Sequence, residues 1–483
     1  MISKDFILYI TVFTTLIPIF IGHPVYKLNR FFFFDPVTKT PCNETNYWTP
    51  YDQSTTCYRF VSITKSDTDK KEKIKIMLDH NIATSSYIDY KKTLKEKTSK
   101  WSRYTGTIDI IDEGTIFNLM QYTSKPTEKT PSSPPIKIGH YYSNSYYINN
   151  GKKVNEKGYW TKTVQNGNLS YAINENGQNI ITPMNKILGI RPVIEIEKKL
   201  LVVDSGVIDI TNIIKKANKI QYKHENKKYD GYIYKQLQGF TVTKDKLIFM
   251  SSNNNNKAKS VLYSYKLNDL KTLYKKEYGT TGHGNGMTYN SKINKVLLVG
   301  PQDYEKVYLY NGDTLKKEKE YAKGTYPTYS AIGYDDINDF YIGLTGRKIF
   351  MADTTNMGKL NEFIISIFET SQDLEYHDGY VFFVTSDLGA PNQYQTYSFY
   401  KKSDNIIYVY NMKLDKDKKP TKNFGRLVAR LHTTGIGAME MESVSFRDGY
   451  IYFGFASHEN SEYSYVFYKQ EYKLFKKEVK KLS

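Results

Sequence analysis

Five stretches in the second half of the chain repeat one line. Gln238-Gly239-Phe240-Thr241-Val242 leads to Leu247-Ile248-Phe249-Met250, and Asn285-Gly286-Met287-Thr288-Tyr289 leads to Val296-Leu297-Leu298-Val299. Ser330-Ala331-Ile332-Gly333-Tyr334 leads to Phe340-Tyr341-Ile342-Gly343, and Gln372-Asp373-Leu374-Glu375-Tyr376 leads to Tyr380-Val381-Phe382-Phe383. Glu442-Ser443-Val444-Ser445-Phe446 leads to Tyr450-Ile451-Tyr452-Phe453-Gly454. The equivalent positions Phe240, Met287, Ile332 and Leu374 are 47, 45 and 42 residues apart, and Val444 follows after 70. Strand-rich repeats of about 40–50 residues predict a β-propeller, here with five blades. The long last interval predicts an insertion over Ala390–Lys422 with its own strand, Ile406–Tyr410. A strand at Tyr465–Tyr468 is expected to complete a blade begun near Val202 and so close the ring. Lys473–Lys481 reads as a solvated or frayed basic tail.

Successive strand residues face opposite sides. Phe240/Val242, Met287/Tyr289, Ile332/Tyr334, Leu374/Tyr376 and Val444/Phe446 therefore form an apolar face. The other face is small, except where Asp373 and Glu375 stand. One small and one large face suit the innermost strand of a blade, where neighbours crowd around the axis. The residues entering these strands, Gln238, Asn285, Ser330, Gln372 and Glu442, should then surround a channel mouth. His283 lies among glycines that let a ligand approach the backbone. Glu440 and Glu442 are two apart and should share a strand face. Two carboxylates and an imidazole can bind a cation, with Ca2+ a candidate, hold a polar ligand, or divide acid and base roles in hydrolysis. No P-loop, HExxH, CxxC or nucleophile-elbow pattern accompanies them.

A chain of 483 residues is too long for one ordinary core. All three tryptophans and both cysteines precede residue 200, and all five repeats follow it. The expected organisation is an N-terminal segment 1–22, an α+β domain 24–200 and a β domain 201–483. The run Phe6–Ile21 is apolar and suits a signal-peptide core or an uncleaved signal anchor. Either places the rest of the chain outside the cytoplasm, secreted or held at the surface. In that setting Cys42 and Cys57 are expected to form a disulfide, with two buried thiols as the alternative. Net charge is +18, but the lysines are dispersed and no nucleic-acid-binding motif appears. The basic balance reads as a solvated surface that can also attract anionic wall polymer or lipid, and nucleic acid is not expected as a partner.

Within 24–200 a helical stripe is expected near Asp112–Gln121, exposed loops at Lys125–Pro135 and Gln165–Gln178, and an alternating strand over Gly189–Ile196. Asp35-Pro36-Val37, Cys57-Tyr58-Arg59-Phe60, Met77-Leu78-Asp79-His80-Asn81 and Gly158-Tyr159-Trp160-Thr161 resemble a module of exported low-GC bacterial proteins. Its ending, Gly189-Ile190-Arg191-Pro192-Val193-Ile194, resembles the C-type-lectin-like fold of the formylglycine-generating enzyme group. The late cysteines on which that group's chemistry depends are absent, so the resemblance implies a display fold and not the oxidase activity.

Gln238-Gly239-Phe240, Gly282-His283-Gly284-Asn285-Gly286-Met287-Thr288-Tyr289 and Glu440-Met441-Glu442-Ser443 resemble helveticin-type bacteriocin propellers. Where those proteins carry a His before the acidic pair, this chain has Gly437-Ala438. The resemblance implies action at bacterial envelopes. The expected function is recognition of a glycan or wall polymer at the channel mouth. The alternatives are a glycoside or phosphodiester hydrolase using Glu442, Glu440 and His283, and a scaffold displaying the first domain.

Overall fold

The computed structural model describes residues 31–42, 46–49, 51–63, 73–101, 108–113, 115, 146–149, 152–155, 158–174, 179–197, 207–223, 234, 236–252, 260–267, 269–279, 286–299, 306–321, 330–345, 348–365, 370–387, 404–433, 439–459 and 462–479. The apolar run at 6–21 and the loop expected at 125–135 lie outside them, as does all of the expected 112–121 helix except Asp112, Glu113 and Thr115. None of the described helices is long and apolar enough to cross a membrane.

The chain is mainly β. Residues 31–197 build two five-stranded sheets and a separate hairpin of Tyr146–Asn149 with Lys152–Asn155. The first runs Val193–Glu197, Lys73–Leu78, Tyr58–Ser62, Phe31–Asp35, Thr40–Pro41, antiparallel throughout. Alternation along Phe31-Phe32-Phe33-Phe34 buries Phe32 and Phe34 against Phe60, Ile74, Ile76, Leu78 and Trp101. The second sheet runs Asn179–Pro183, Leu169–Ile173, Tyr159–Asn166, Leu188–Ile190, Ala83–Ser85. The helix Tyr90–Lys97 packs Tyr90 and Leu94 into the same cluster as Trp160, Leu188 and Ile190. Trp160 Nε1 donates to Ser85 O at 2.8 Å, so the buried indole N–H is satisfied.

Two expectations for this region change. Gly189–Ile196 is not one strand: Leu188–Ile190 belongs to one sheet and Val193–Glu197 to the other. Pro192 has no N–H for a ladder, and the buried Arg191 at the corner donates to Asp79 O. Most of the expected loop 165–178 is a hairpin, with Tyr159–Asn166 turning back as Leu169–Ile173.

Residues 207–479 build five further sheets, each a meander begun by one of the repeated lines. The opening strands are Gln236–Val242, Gly286–Asn290, Ala331–Asp335, Thr370–His377 and Met439–Arg447. They neighbour one another in order, and the fifth also neighbours the first, so they close a circle. An apolar cluster fills each gap between consecutive sheets. The gap between fifth and first holds Tyr452, Tyr465 and Phe467 against Phe240 and Phe249. The hairpin turns at Asp378-Gly379 (φ 54° and 82°) and Asp448-Gly449 (φ 49° and 79°) put two consecutive residues in the left-handed region, as a type I′ turn requires.

The closure differs from the sequence expectation. The fifth sheet takes its outer strand, Asn218–Lys223, from before the first repeat, paired antiparallel with Glu462–Glu471. The short strand Val207–Asp209, nearest to Val202, instead joins the fourth sheet, parallel to Leu427–Thr433. Ile406–Tyr410 is no insertion strand: it lies in Asp404–Asn411, the third strand of the fourth sheet. The C-terminal basic stretch is not frayed over its described part. Tyr472–Glu478 is a helix that buries Tyr472 and Phe475 while its lysines face outward.

No sheet mixes strands from 31–197 with strands from 207–479. The two parts touch through the loop closed by the Cys42–Cys57 disulfide. Within that loop Tyr51 OH donates to Glu362 O at 3.3 Å, and its ring meets Phe424 edge-on at 5.1 Å. Asp52 forms an ion pair with the buried Arg426, whose guanidinium lies 5.7 Å from the Tyr47 ring centroid. The bridge fits an oxidising environment.

Candidate functional site: the circle of opening strands

Three of the five opening strands carry a β-bulge, and each bulge falls at a residue the repeats single out. Leu237 pairs with Ser251 and Phe240 with Phe249, so Gln238 and Gly239 together face Met250. Ser371 pairs with Thr385 and Asp373 with Val384, leaving Gln372 as the extra residue. Met441 pairs with Phe455 and Ser443 with Gly454, leaving Glu442 as the extra residue. A bulge re-aims its side chain and interrupts alternation. Glu440 and Glu442 therefore do not share a face by simple strand alternation, which corrects the sequence reading.

All three bulged residues are buried, and two of them, Gln238 (at Oε1) and Glu442, lack hydrogen-bond partners among the described residues. Gln238 is 1% exposed; its Nε2 donates to Leu237 O at 2.7 Å, and its Oε1 has no hydrogen-bond partner among the described residues. Gln372 Nε2 donates to Glu440 Oε1 at 2.6 Å. Glu442 is 3% exposed, and no described residue donates a hydrogen bond to its carboxyl. Burial, then the neighbouring Glu440 and Asp373, push the Glu442 pKa well above the usual carboxylate range. Ser330 turns away: its Oγ donates to Leu344 O at 3.1 Å. His283 and Asn285 lie outside the described residues. Among the described residues no three His, Cys, Asp or Glu side chains come together in a way that would hold a metal ion.

Below these residues the circle is filled by Asp373 and Glu375. Thr288 Oγ1 lies 2.9 Å from Glu375 Oε2, joining strands two places apart, so this carboxyl sits inside the circle. Glu375 Oε1 accepts from Tyr334 N and Tyr376 N, both at 3.0 Å. Asp373 accepts from Ser443 Oγ at 2.6 Å, from Leu374 N at 2.8 Å and from the Met287 amide. The small residues opposite make room: a Cβ on Gly333 would come 2.9 Å from Glu375 Oε1. Burial raises both acids, Asp373 well above its ordinary value and Glu375 to about 8. Burial thus favours the neutral form of Glu442, Asp373 and Glu375. Such acids donate and accept hydrogen bonds without carrying charge.

No family model matches the chain, and no curated protein matches it. Among solved structures it is similar over 53% of its length to glutaminyl cyclase of Myxococcus xanthus, covering 95% of that chain at 11% identity and a TM-score of 0.34. It is similar over 57% of its length to the tail fibre of Staphylococcus aureus phage P68, covering 59% of that chain at 10% identity and a TM-score of 0.34. A third similarity, to hydrazine synthase of Kuenenia stuttgartiensis, covers 48% of this chain and spans 60% of that one, at 12% identity and a TM-score of 0.29. Scores this low bear on neither its fold nor its function.

At the far end of the same strands lies a second polar cavity, of about 40 Å³, to which all five opening strands contribute. Arg447, Tyr289, Ser291, His377, Asp336 and Glu375 are among the residues that line it. The repeat comparison missed this end because it stopped at the last apolar residue of each line. The signal was one or two residues further on, in Tyr376-His377, Phe446-Arg447 and Tyr334-Asp335-Asp336.

Proposed function

We propose that the five sheets are the blades of a five-bladed β-propeller whose mouth, at Gln238, Gln372 and Glu442, recognises a neutral, hydroxyl-rich ligand, a glycan or wall polymer. The cyclic order of the opening strands and the apolar cluster in every gap support the propeller. The unpartnered buried carboxyl of Glu442 carries the binding reading. A buried polar group without a partner costs about 1–3 kcal/mol, a cost that a ligand hydroxyl would remove on binding. A buried acid on a rim that also carries amides offers both donors and acceptors, which suits sugar hydroxyls. The disulfide and the apolar run near the N-terminus fit an exported protein, and 31–197 is then a lectin-like module held against the propeller.

A glycan and wall-polymer binding screen of the full chain tests this. Glu442→Ala should lose binding about tenfold or more, and Glu442→Gln, which keeps a donor and an acceptor, should retain much of it. Binding unchanged in Glu442→Ala would refute the mouth as the site. Glu440 and the raised Glu442 are also neighbouring carboxyls of the kind hydrolysis uses, so release of reducing sugar by the wild type, abolished in Glu442→Gln, would reassign the site as catalytic.

A further inference from the structure

The cavity at the opposite end from the mouth is polarised. On one side the Arg447 guanidinium reaches toward Tyr289, with its Cζ 5.7 Å from the ring centroid. Its one charged contact is Nε to Asp448 Oδ1 at 3.3 Å, on a carboxylate whose side chain is 60% exposed. Such a pair contributes little, and the terminal guanidinium N–H groups have no hydrogen-bond acceptor among the described residues. Ser291 also lines the cavity. On the other side are acceptors. His377 stacks on Phe446 at 4.6 Å with 7° between the planes, which fixes its ring. Burial lowers its pKa, against the pull of Asp378 and Asp336, so the imidazole is neutral and keeps a nitrogen lone pair. The Asp336 carboxylate is close enough to act electrostatically on both His377 and Glu375. Glu375 walls the inner end as a neutral acid and so does not repel an anion.

Donors with a positive charge on one side and acceptors with a negative charge on the other select a ligand with the complementary dipole. The cavity, about 40 Å³ and open to solvent on one side, favours a small ligand. We infer that this cavity binds a small zwitterion of the size of glycine or alanine, its carboxylate on Arg447 and its ammonium on Asp336 and His377. A planar guanidinium matches a carboxylate with two parallel hydrogen bonds.

Calorimetric titration of the full chain with alanine, acetate and methylammonium, followed in parallel by the His377 ring resonances, tests the inference. Alanine should bind and shift those resonances, while acetate and methylammonium should each bind about tenfold or more weakly than alanine. Arg447→Gln should bring alanine down to the level of methylammonium, and Asp336→Asn should bring it down to the level of acetate. Glu442→Gln, at the mouth, should leave alanine binding unchanged, which separates this site from the proposed glycan site. Acetate binding as tightly as alanine, or no shift of the His377 resonances at millimolar alanine, would overturn it.

Discussion

Each half of the molecule buries carboxyl groups, and each handles them in the opposite way. In 31–197 the buried Asp79 is surrounded by cations and donors. Arg59 Nε donates to its Oδ2 at 2.6 Å, and His80 Nδ1 lies 2.6 Å from Oδ1. Burial alone would raise this acid, but Arg59 and His80 hold it well below the usual range. The Trp48 ring stacks on His80 at 4.2 Å, and Arg191 donates to the Asp79 carbonyl, so charge, ring and backbone lock together where the two sheets meet. In 207–479 Glu442, Asp373 and Glu375 are buried with no Lys or Arg hydrogen-bonded to them among the described residues, and all three are raised. A charge that is paired is a structural fixture. A carboxyl left neutral and, at Glu442, without a donor, is available to something outside the protein.

The largest effect expected from breaking this contrast is at the paired acid. Asp79→Asn leaves Arg59 as a buried cation without its counter-charge and should destabilise 31–197 by about 3–5 kcal/mol in denaturant unfolding. Replacing both Cys42 and Cys57 by Ser should cost about 3 kcal/mol, because the bridge closes a loop of 15 residues. The same variant should loosen Tyr51 and Asp52 from Phe424 and Arg426, seen as faster proteolysis between the two parts.

Glu375→Gln sharpens the contrast from the other side. The folded chain holds a proton on Glu375 up to about pH 8, whereas the unfolded chain releases it near its ordinary value of 4.5. Stability from this group is therefore full at low pH and is lost as pH rises toward 8. Between pH 6 and pH 8 the wild type should lose about 2 kcal/mol relative to Glu375→Gln, whose amide keeps an acceptor for the two backbone N–H groups and a donor for Thr288. Equal slopes in the two proteins would mean that Glu375 is ionised. The smallest effect is at the contact between the halves. Arg426→Ala removes the ion pair with Asp52 and should cost about 1–2 kcal/mol, separating one thermal transition into two.

The repeated lines made the five sheets legible because each opens with the same apolar spacing. What was not legible depends on partners far along the chain. Asp373 and Glu375 stood out as exceptions on a small face, but only Thr288, Tyr334 and Ser443 across the circle explain why carboxyls fit there. The bulges hid because one extra residue before a small one looks like ordinary alternation. Asn218–Lys223 reads as a short polar strand with nothing to mark it as the partner of Glu462–Glu471. Arg191-Pro192 looked like the middle of a strand and is a corner, since its role is set by Asp79 in another strand's wake.

The central claim is that the column inside the circle consists of neutral acids while the paired acid of the other half is ionised. Infrared difference spectroscopy of the carboxyl C=O stretch at neutral pH tests it directly. The wild type should show protonated-acid absorption that falls stepwise in Glu442→Gln, Asp373→Asn and Glu375→Gln and is untouched in Asp79→Asn. A spectrum with carboxylate bands alone, unchanged by the first three substitutions, would contradict the account.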